Sequence, residues 1–173
     1  MTPPSGIGLV LITGCSTGLG DATARAFRAA GHLTVATARN TGGLAGLTAL
    51  GCETLTLDVT DEASRRAAVE EAERRFGPVG VLVNNAGYGQ YGPLEEIPPE
   101  LLRRAFETNV FGPLRMAQLV LPGMRRAGPI GVRPATGKGS RARRAKAPRV
   151  IRSNSSIGVW ILEDPLQICL CAK

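Results

Sequence analysis

Apolar residues in this chain gather in short unbroken runs, and between the runs they recur at helical spacing. "IGLVLIT" (7–13) is a continuous apolar run of strand length, which predicts a strand buried on both faces. A glycine-rich turn follows, then "LGDATARAFRAAG", where Leu19, Ala22, Ala26, Phe27 and Ala30 recur at helical spacing before Gly31 supplies a stop. The unit then repeats, with "HLTVATAR" a strand, "NTGGLAGLTALG" a short weak helix and "CETLTLDV" a strand. "TDEASRRAAVEEAERRFG" opens on cap-type Thr60 or Asp61, turns Ala68, Ala72 and Phe76 to one side, and ends at Gly77 and Pro78. "VGVLVNNAG" is a fourth apolar run. After the loop "YGQYGPLEEI", Pro98 and Pro99 open a long helical stretch, "ELLRRAFETNVFGPLRMAQLVLPGMRR", which Pro113 and Pro122 should bend. Strands that alternate with helices and read as apolar throughout predict a doubly wound α/β fold with a parallel sheet over residues 6–126.

Composition adds a boundary to this picture. With 173 residues, 43% of them hydrophobic, the chain has material for one ordinary core. Residues 1–126 carry 12 Lys+Arg against 12 Asp+Glu, whereas residues 127–173 carry 9 against 2, so the whole net charge of +7 belongs to the C-terminal segment. We therefore divide the chain into an α/β region at 1–126, a basic Gly/Pro/Arg-rich insertion or linker at 127–147, expected to be disordered, and a final segment at 148–173. A fifth strand is attempted at "RVIRSNSS", with Arg152 where a central strand should be apolar.

The same features limit the function classes. The first apolar run has no basic residue ahead of it and is too short to cross a bilayer, so a cytoplasmic protein without a membrane partner is expected. Cys15, Cys52, Cys169 and Cys171 form no C-x-x-C pair, and the single histidine, His32, has no cysteine at zinc-finger spacing, so no metal site is expected. The run "GKGSRARRAKAPR" within 133–149 could engage phosphates non-specifically, but it contains no aromatic residue for stacking; a solvated tail is the favoured reading and a nucleic-acid or anion partner the weaker one. It is not a P-loop either, because Gly131 and Gly137 are spaced too widely and Gly139 follows Lys138.

The informative chemistry lies in "TGCSTGLG", between the first strand and the first helix. Gly14, Gly18 and Gly20 allow a tight turn and close backbone approach, and the helix N-terminus would offer free N–H groups to a dinucleotide's pyrophosphate. At the end of the second strand an acidic residue would bind a ribose 2′-hydroxyl, whereas an arginine suits a 2′-phosphate. Here the strand ends "ATARN", with Arg39 and no acidic residue between it and Glu53, which favours NADP(H), with NAD(H) as the alternative.

Four motifs in order, "TGCSTGLG", "LDVT" after the third strand, "NNAG" after the fourth and "TNVFG" in the long helix, make the sequence resemble the short-chain dehydrogenase/reductase family over residues 7 to about 126. The resemblance implies a Rossmann-type sheet, incomplete at its C-terminal side, and a pyridine-nucleotide oxidoreductase interconverting an alcohol and a carbonyl by hydride transfer. It implies that Gly14, Gly18 and Gly20 line the pyrophosphate, with Thr13, Ser16, Thr17 and Leu19 also cofactor-binding, that Asp58 and Val59 meet the adenine, and that Asn85, Ala86 and Gly87, with Asn84 as either a cofactor contact or a turn-maker, sit beside the ribose and nicotinamide. Asn109 would be the asparagine of the catalytic tetrad, in a distorted helix. The partners implied are a nicotinamide dinucleotide and a small alcohol or carbonyl substrate, in a homo-oligomer built on the helix at 100–126.

The rest of the tetrad is a Tyr as proton donor, a Lys four residues later that lowers its pKa, and a Ser thirteen before the Tyr that hydrogen-bonds the substrate oxygen. Taking Ser156 of "NSSIG" as that serine puts the Lys at Lys173 and the Tyr at a position occupied by Cys169, at the start of a helix. The chain's two tyrosines, Tyr88 and Tyr91, are followed four residues later by Gly92 and Glu95, so neither belongs to a Tyr-x-x-x-Lys motif. A thiol is a poor hydrogen-bond donor. The sequence thus supports two readings, an oxidoreductase and a nucleotide-binding remnant without turnover.

Overall fold

The computed structural model describes residues 7–127 together with two short strands, Ile157–Ile161 and Ile168–Ala172. Strand β1 (Leu9–Ile12) is buried along its whole length, and it lies between β2 (Thr34–Ala38) and β4 (Val79–Val83), with β3 (Glu53–Thr56) outside β2. All three pairings are parallel, in the order β3-β2-β1-β4. The polar residues that enter this sheet are satisfied: buried Thr34 and Thr37 donate their hydroxyls to the carbonyls of His32 (3.1 Å) and Ile12 (2.9 Å).

Alternate residues of β1 feed two cores. Leu9 and Leu11 pack with Val35, Leu82 and the inner faces of α3 (Glu62–Phe76) and α5 (Gly112–Ala127), while Val10 and Ile12 pack with Ala24 of α1 (Gly18–Ala29) and Leu47 of α2 (Ala45–Ala49). Helices therefore cover both faces, which is the doubly wound Rossmann-type arrangement that the apolar runs predict.

The buried stripe of α1 differs from the periodicity. Gly20 and Ala24 are buried and Phe27 is half-buried, whereas Leu19 is 58% exposed and Ala22, Ala26 and Ala30 face solvent. An alanine-rich helix is apolar on several sides, and here the close seating of Gly20 against the preceding turn selects which side meets the sheet. Its C-terminus closes as expected: Gly31 adopts φ +84°, its N–H donates to Arg28, and the His32 N–H donates to Phe27, the paired bonds of a Schellman motif. His32 rests edge-on against Phe27, ring centroids 5.8 Å apart.

Of the two cap candidates for α3, Asp61 is the one used, accepting from the Ser64 N–H at 2.7 Å, and Ala68, Val69 and Ala72 form the buried side. The long helix is divided rather than simply bent. α4 (Pro99–Phe106) passes into a π-helical turn, Glu107–Phe111, closed by the Gly112 N–H on Glu107, and α5 then runs unbroken through Pro122. Pro113 lacks the N–H that would continue the regular ladder, which accounts for the wide turn at this point.

α3 and α5 are clasped by charge. The Glu62 carboxylate accepts from Arg115 of α5 (2.6 Å from Nη2) and from Arg65 of its own helix (3.0 Å), and it forms an ion pair with Arg66 at 2.8 Å.

Ile157–Ile161 (β5) and Ile168–Ala172 (β6) pair antiparallel, with Trp160 opposite Cys169. The resemblance expects a helix beginning at Cys169; "ICLCA" instead lies in a strand, as suits a five-residue apolar segment too short to form a stable helix by itself. Residues 128–156, which contain nearly all of the basic segment, the strand expected at "RVIRSNSS" and Ser156, lie outside the described residues, as does Lys173. Among the described residues no helix is long and apolar enough to cross a membrane.

Two stability predictions follow from this packing. Leu11→Ala, at a fully buried position in β1, is expected to lower the unfolding free energy in urea by about 2–5 kcal/mol. The hydrogen bonds from Arg115, helped by Arg65 and the Arg66 charge, hold the Glu62 carboxyl down to about 2 from an ordinary 4.5. A depressed carboxyl stabilises the fold above its unfolded value and loses that contribution as pH falls toward the folded one, so the stability difference between wild type and Glu62→Gln should close between about pH 5 and pH 2.

Candidate functional site

The carboxyl ends of β1, β2 and β4 open into a cleft of about 1020 Å³. It lies where the strand order reverses between β1 and β4, the position at which open α/β sheets bind ligands. Its described lining brings together Gly14, Ser16 and Thr17 from the turn after β1, Leu19 from the first turn of α1, Arg39 from the end of β2, Asp58 and Val59 from the segment after β3, Asn85, Ala86 and Gly87 from the loop after β4, and Asn109 from the π-turn. The remaining sequence-predicted residues near it stand behind or beside the wall: Thr13 is 1% exposed, Gly20 is buried, and Gly18 begins α1.

The turn is held by backbone contacts. Gly14 adopts φ +71°, and a Cβ there would stand 2.7 Å from the Ala86 Cα. A Cβ on Gly20 would collide with the Gly14 carbonyl oxygen and lie 2.5 Å from the Asn85 Nδ2. Asn85 donates that Nδ2 to the carbonyls of Thr13 (3.0 Å) and Gly14 (2.9 Å), while the Thr13 hydroxyl accepts from the N–H groups of Asn85 and Ala86, both at 3.0 Å. Gly18, at φ +62°, has open space where a Cβ would project, and the Thr17 side chain makes no cap bond to α1. The first N–H groups of α1 therefore face the cleft without a side-chain acceptor, which suits the turn to a phosphate.

At the end of β2, Arg39 is the one cation among the described lining residues. Burial would raise the Asp58 carboxyl, but the N–H and hydroxyl of Thr60 (2.9 and 2.7 Å), with the charges of Arg39 and Arg65, hold it below its ordinary value. At the other end, Asn109 clamps the backbone of Tyr88, accepting from its N–H at 3.1 Å and donating to its carbonyl at 2.8 Å. Asn84 does not line the cleft: its Nδ2 donates to the Pro113 carbonyl at 3.3 Å, which makes it a tie between β4 and α5.

Tyr88 and Tyr91, which belong to no Tyr-x-x-x-Lys motif, are brought to the cleft with Gly89, Gln90 and Thr108. Their position directly after "NNAG" was the available signal. Cys169 belongs to β6, and Ser156 and Lys173 fall outside the described residues; among the described lining residues Asn109 is the one tetrad candidate.

Comparison with known proteins agrees with this geometry. Residues 8–132 match the short chain dehydrogenase family, and the chain belongs to that family, whose members are oxidoreductases with an NAD(P)-binding Rossmann fold. It is 42% identical over 110 residues to an NADPH-dependent 1-acyldihydroxyacetone phosphate reductase of Schizosaccharomyces pombe, covering 62% of this chain and 37% of the relative. A short-chain dehydrogenase from Streptomyces avermitilis superposes with TM-score 0.67 and 43% identity over 70% of this chain and 46% of that one. An alcohol dehydrogenase from the archaeon Thermococcus sibiricus, solved with 5-hydroxy-NADP, gives TM-score 0.65 and 32% identity over 70% and 55%. The chain spans about two-fifths of the length of the curated relatives it matches.

Beside the cleft, Cys15 is fully buried beneath the glycine turn, and that burial pushes its thiol up to about 12. In the folded protein Cys15 should resist iodoacetamide at about pH 8 and become reactive only in denaturant, as read by peptide mass mapping.

Proposed function

We propose that this chain carries the nucleotide site of an NADP(H)-dependent oxidoreductase that interconverts an alcohol and a carbonyl. The carrying observation is the pairing, in one cleft, of an uncapped helix N-terminus behind the Gly14–Gly18–Gly20 turn with Arg39 at the end of β2. In this reading the turn and the first N–H groups of α1 hold the pyrophosphate, Arg39 the 2′-phosphate, Asp58 and Val59 the adenine, and Asn85, Ala86 and Gly87 the nicotinamide side. When bound, the nucleotide supplies or accepts hydride. The NADPH dependence of the Schizosaccharomyces relative and the NADP analogue bound by the Thermococcus enzyme favour the phosphorylated cofactor.

For proton transfer, the reading gives Asn109 the task of fixing the loop at Tyr88 from the π-turn, with Ser156 at the substrate oxygen and Lys173 beside the nucleotide ribose. The same alignment puts Cys169 where a tyrosine would donate the proton, and the strand through Ile168–Ala172 is not the helix that such a constellation needs. These two facts favour a second reading, nucleotide binding without turnover.

Titration followed by NADPH fluorescence is expected to give tighter binding of NADPH than of NADH by at least about tenfold, with Arg39→Ala abolishing the difference. Equal or tighter NADH binding by the wild type would remove the assignment of Arg39. NADPH oxidation by the pure chain with simple ketones and aldehydes separates the readings: turnover supports the oxidoreductase, and retained affinity without turnover supports nucleotide binding alone.

A further inference from the structure

The segment 58–60, between β3 and α3, forms one wall of the cleft, and its placement depends on a residue that does not line the cleft. The Val59 carbonyl accepts from Nη1 of Arg65, and it also marks where α5 begins, since a Cβ on Gly112 would stand 2.9 Å from it. The Arg65 side chain is only 11% exposed; it turns Nε and Nη2 toward Glu62 Oε2, at 3.2 and 3.0 Å. Glu62 is gripped in turn from α5 by Arg115, with Nη2 at 2.6 Å and Nε at 3.0 Å from Oε1, and by Arg66, with Nε at 2.8 Å. One carboxylate thus joins two helices and, through Arg65, the backbone of the cleft wall.

We infer that Glu62 is a positioning residue for the adenosine end of the cleft, holding the Arg65 guanidinium so that its remaining Nη1 fixes the Val59 carbonyl. The inference rests on the dinucleotide reading above. A carboxylate is required because three guanidinium groups converge on it; glutamine offers one acceptor oxygen and no charge, so Arg65, Arg66 and Arg115 would repel one another and Arg65 would be free to turn away from Val59. Arg65 is fully committed to Glu62 and Val59, which leaves Arg39 to meet a ligand.

The test pairs amide hydrogen exchange with calorimetric titration of 2′,5′-ADP and of NADPH, in wild type, Glu62→Gln and Glu71→Gln. Glu71, paired with Arg74 on the same helix, controls for the loss of an α3 ion pair. In Glu62→Gln the amides of 59–61 should exchange about tenfold faster and both ligands should bind about tenfold more weakly, an equal loss because both carry the adenosine half; Glu71→Gln should do neither. Exchange at 59–61 that is unchanged, or raised no more than in Glu71→Gln, overturns the inference, and so does faster exchange with unaltered affinity for 2′,5′-ADP. Should Glu62→Gln fail to fold, Arg115→Gln keeps the Glu62–Arg65 pair but frees it from α5; it should shift both readouts in the same direction by a smaller factor, and no shift overturns the inference. A wild type that binds neither nucleotide defeats the dinucleotide reading, whereas the exchange measurement separately decides whether Glu62 holds the wall.

Discussion

The close approach of two backbones at the carboxyl ends of β1 and β4 is the constraint on which the rest of the structure depends. Gly14 meets Ala86 at a distance no side chain could share, and Gly20 seats α1 against the Gly14 carbonyl and the Asn85 amide. Asn85 donates to both Thr13 and Gly14 while Thr13 accepts from Asn85 and Ala86, so four hydrogen bonds tie the two strand ends together. The knot fixes the helix on the sheet, opens the cleft in front of it, and buries Cys15 so thoroughly that its thiol is pushed up to about 12. A methyl group at either glycine would force the two strand ends apart, and the burial of β1 would suffer with them.

The two ends of the cleft are built differently. At one, Arg39 and Asp58 supply the charged groups of the described lining, and the wall beneath them is braced by the Glu62 clasp from two helices. At the other, Tyr88, Gln90, Tyr91 and Thr108 give an uncharged, partly aromatic rim, with the backbone of Tyr88 fixed by Asn109. The π-turn belongs to this second end, since a regular helix from Pro99 to Ala127 would present Asn109 at another angle.

How much of this the sequence reveals depends on the range of the interaction concerned. Parallel strands buried on both faces write themselves as unbroken apolar runs, so β1, β2 and β4 were legible, and the glycine turn was legible because its chemistry lies within seven residues. The buried side of α1 was not, because alanine marks no face and the choice is made by Gly20 seated against the Gly14 carbonyl and against Asn85, which is far away in sequence. Glu62 and Arg115 are 53 positions apart, and nothing in either neighbourhood announces the pair. The place of Tyr88 and Tyr91 in the lining has no periodic signature, since exposure to a cleft leaves no such trace. At Ile168–Ala172 the family alignment expected a helix, and a short apolar segment with no amphipathic partner formed a strand instead.

Thr17 stands at the N-cap of α1 with a hydroxyl that could have closed the helix and does not. The first turn of α1 is therefore left incomplete within the chain, and any anion held there finishes a piece of secondary structure as well as filling a cleft. Binding and folding are then one equilibrium at this helix: the protein should gain stability in proportion to the logarithm of ligand concentration, beginning with the element that seats Gly20 against the sheet.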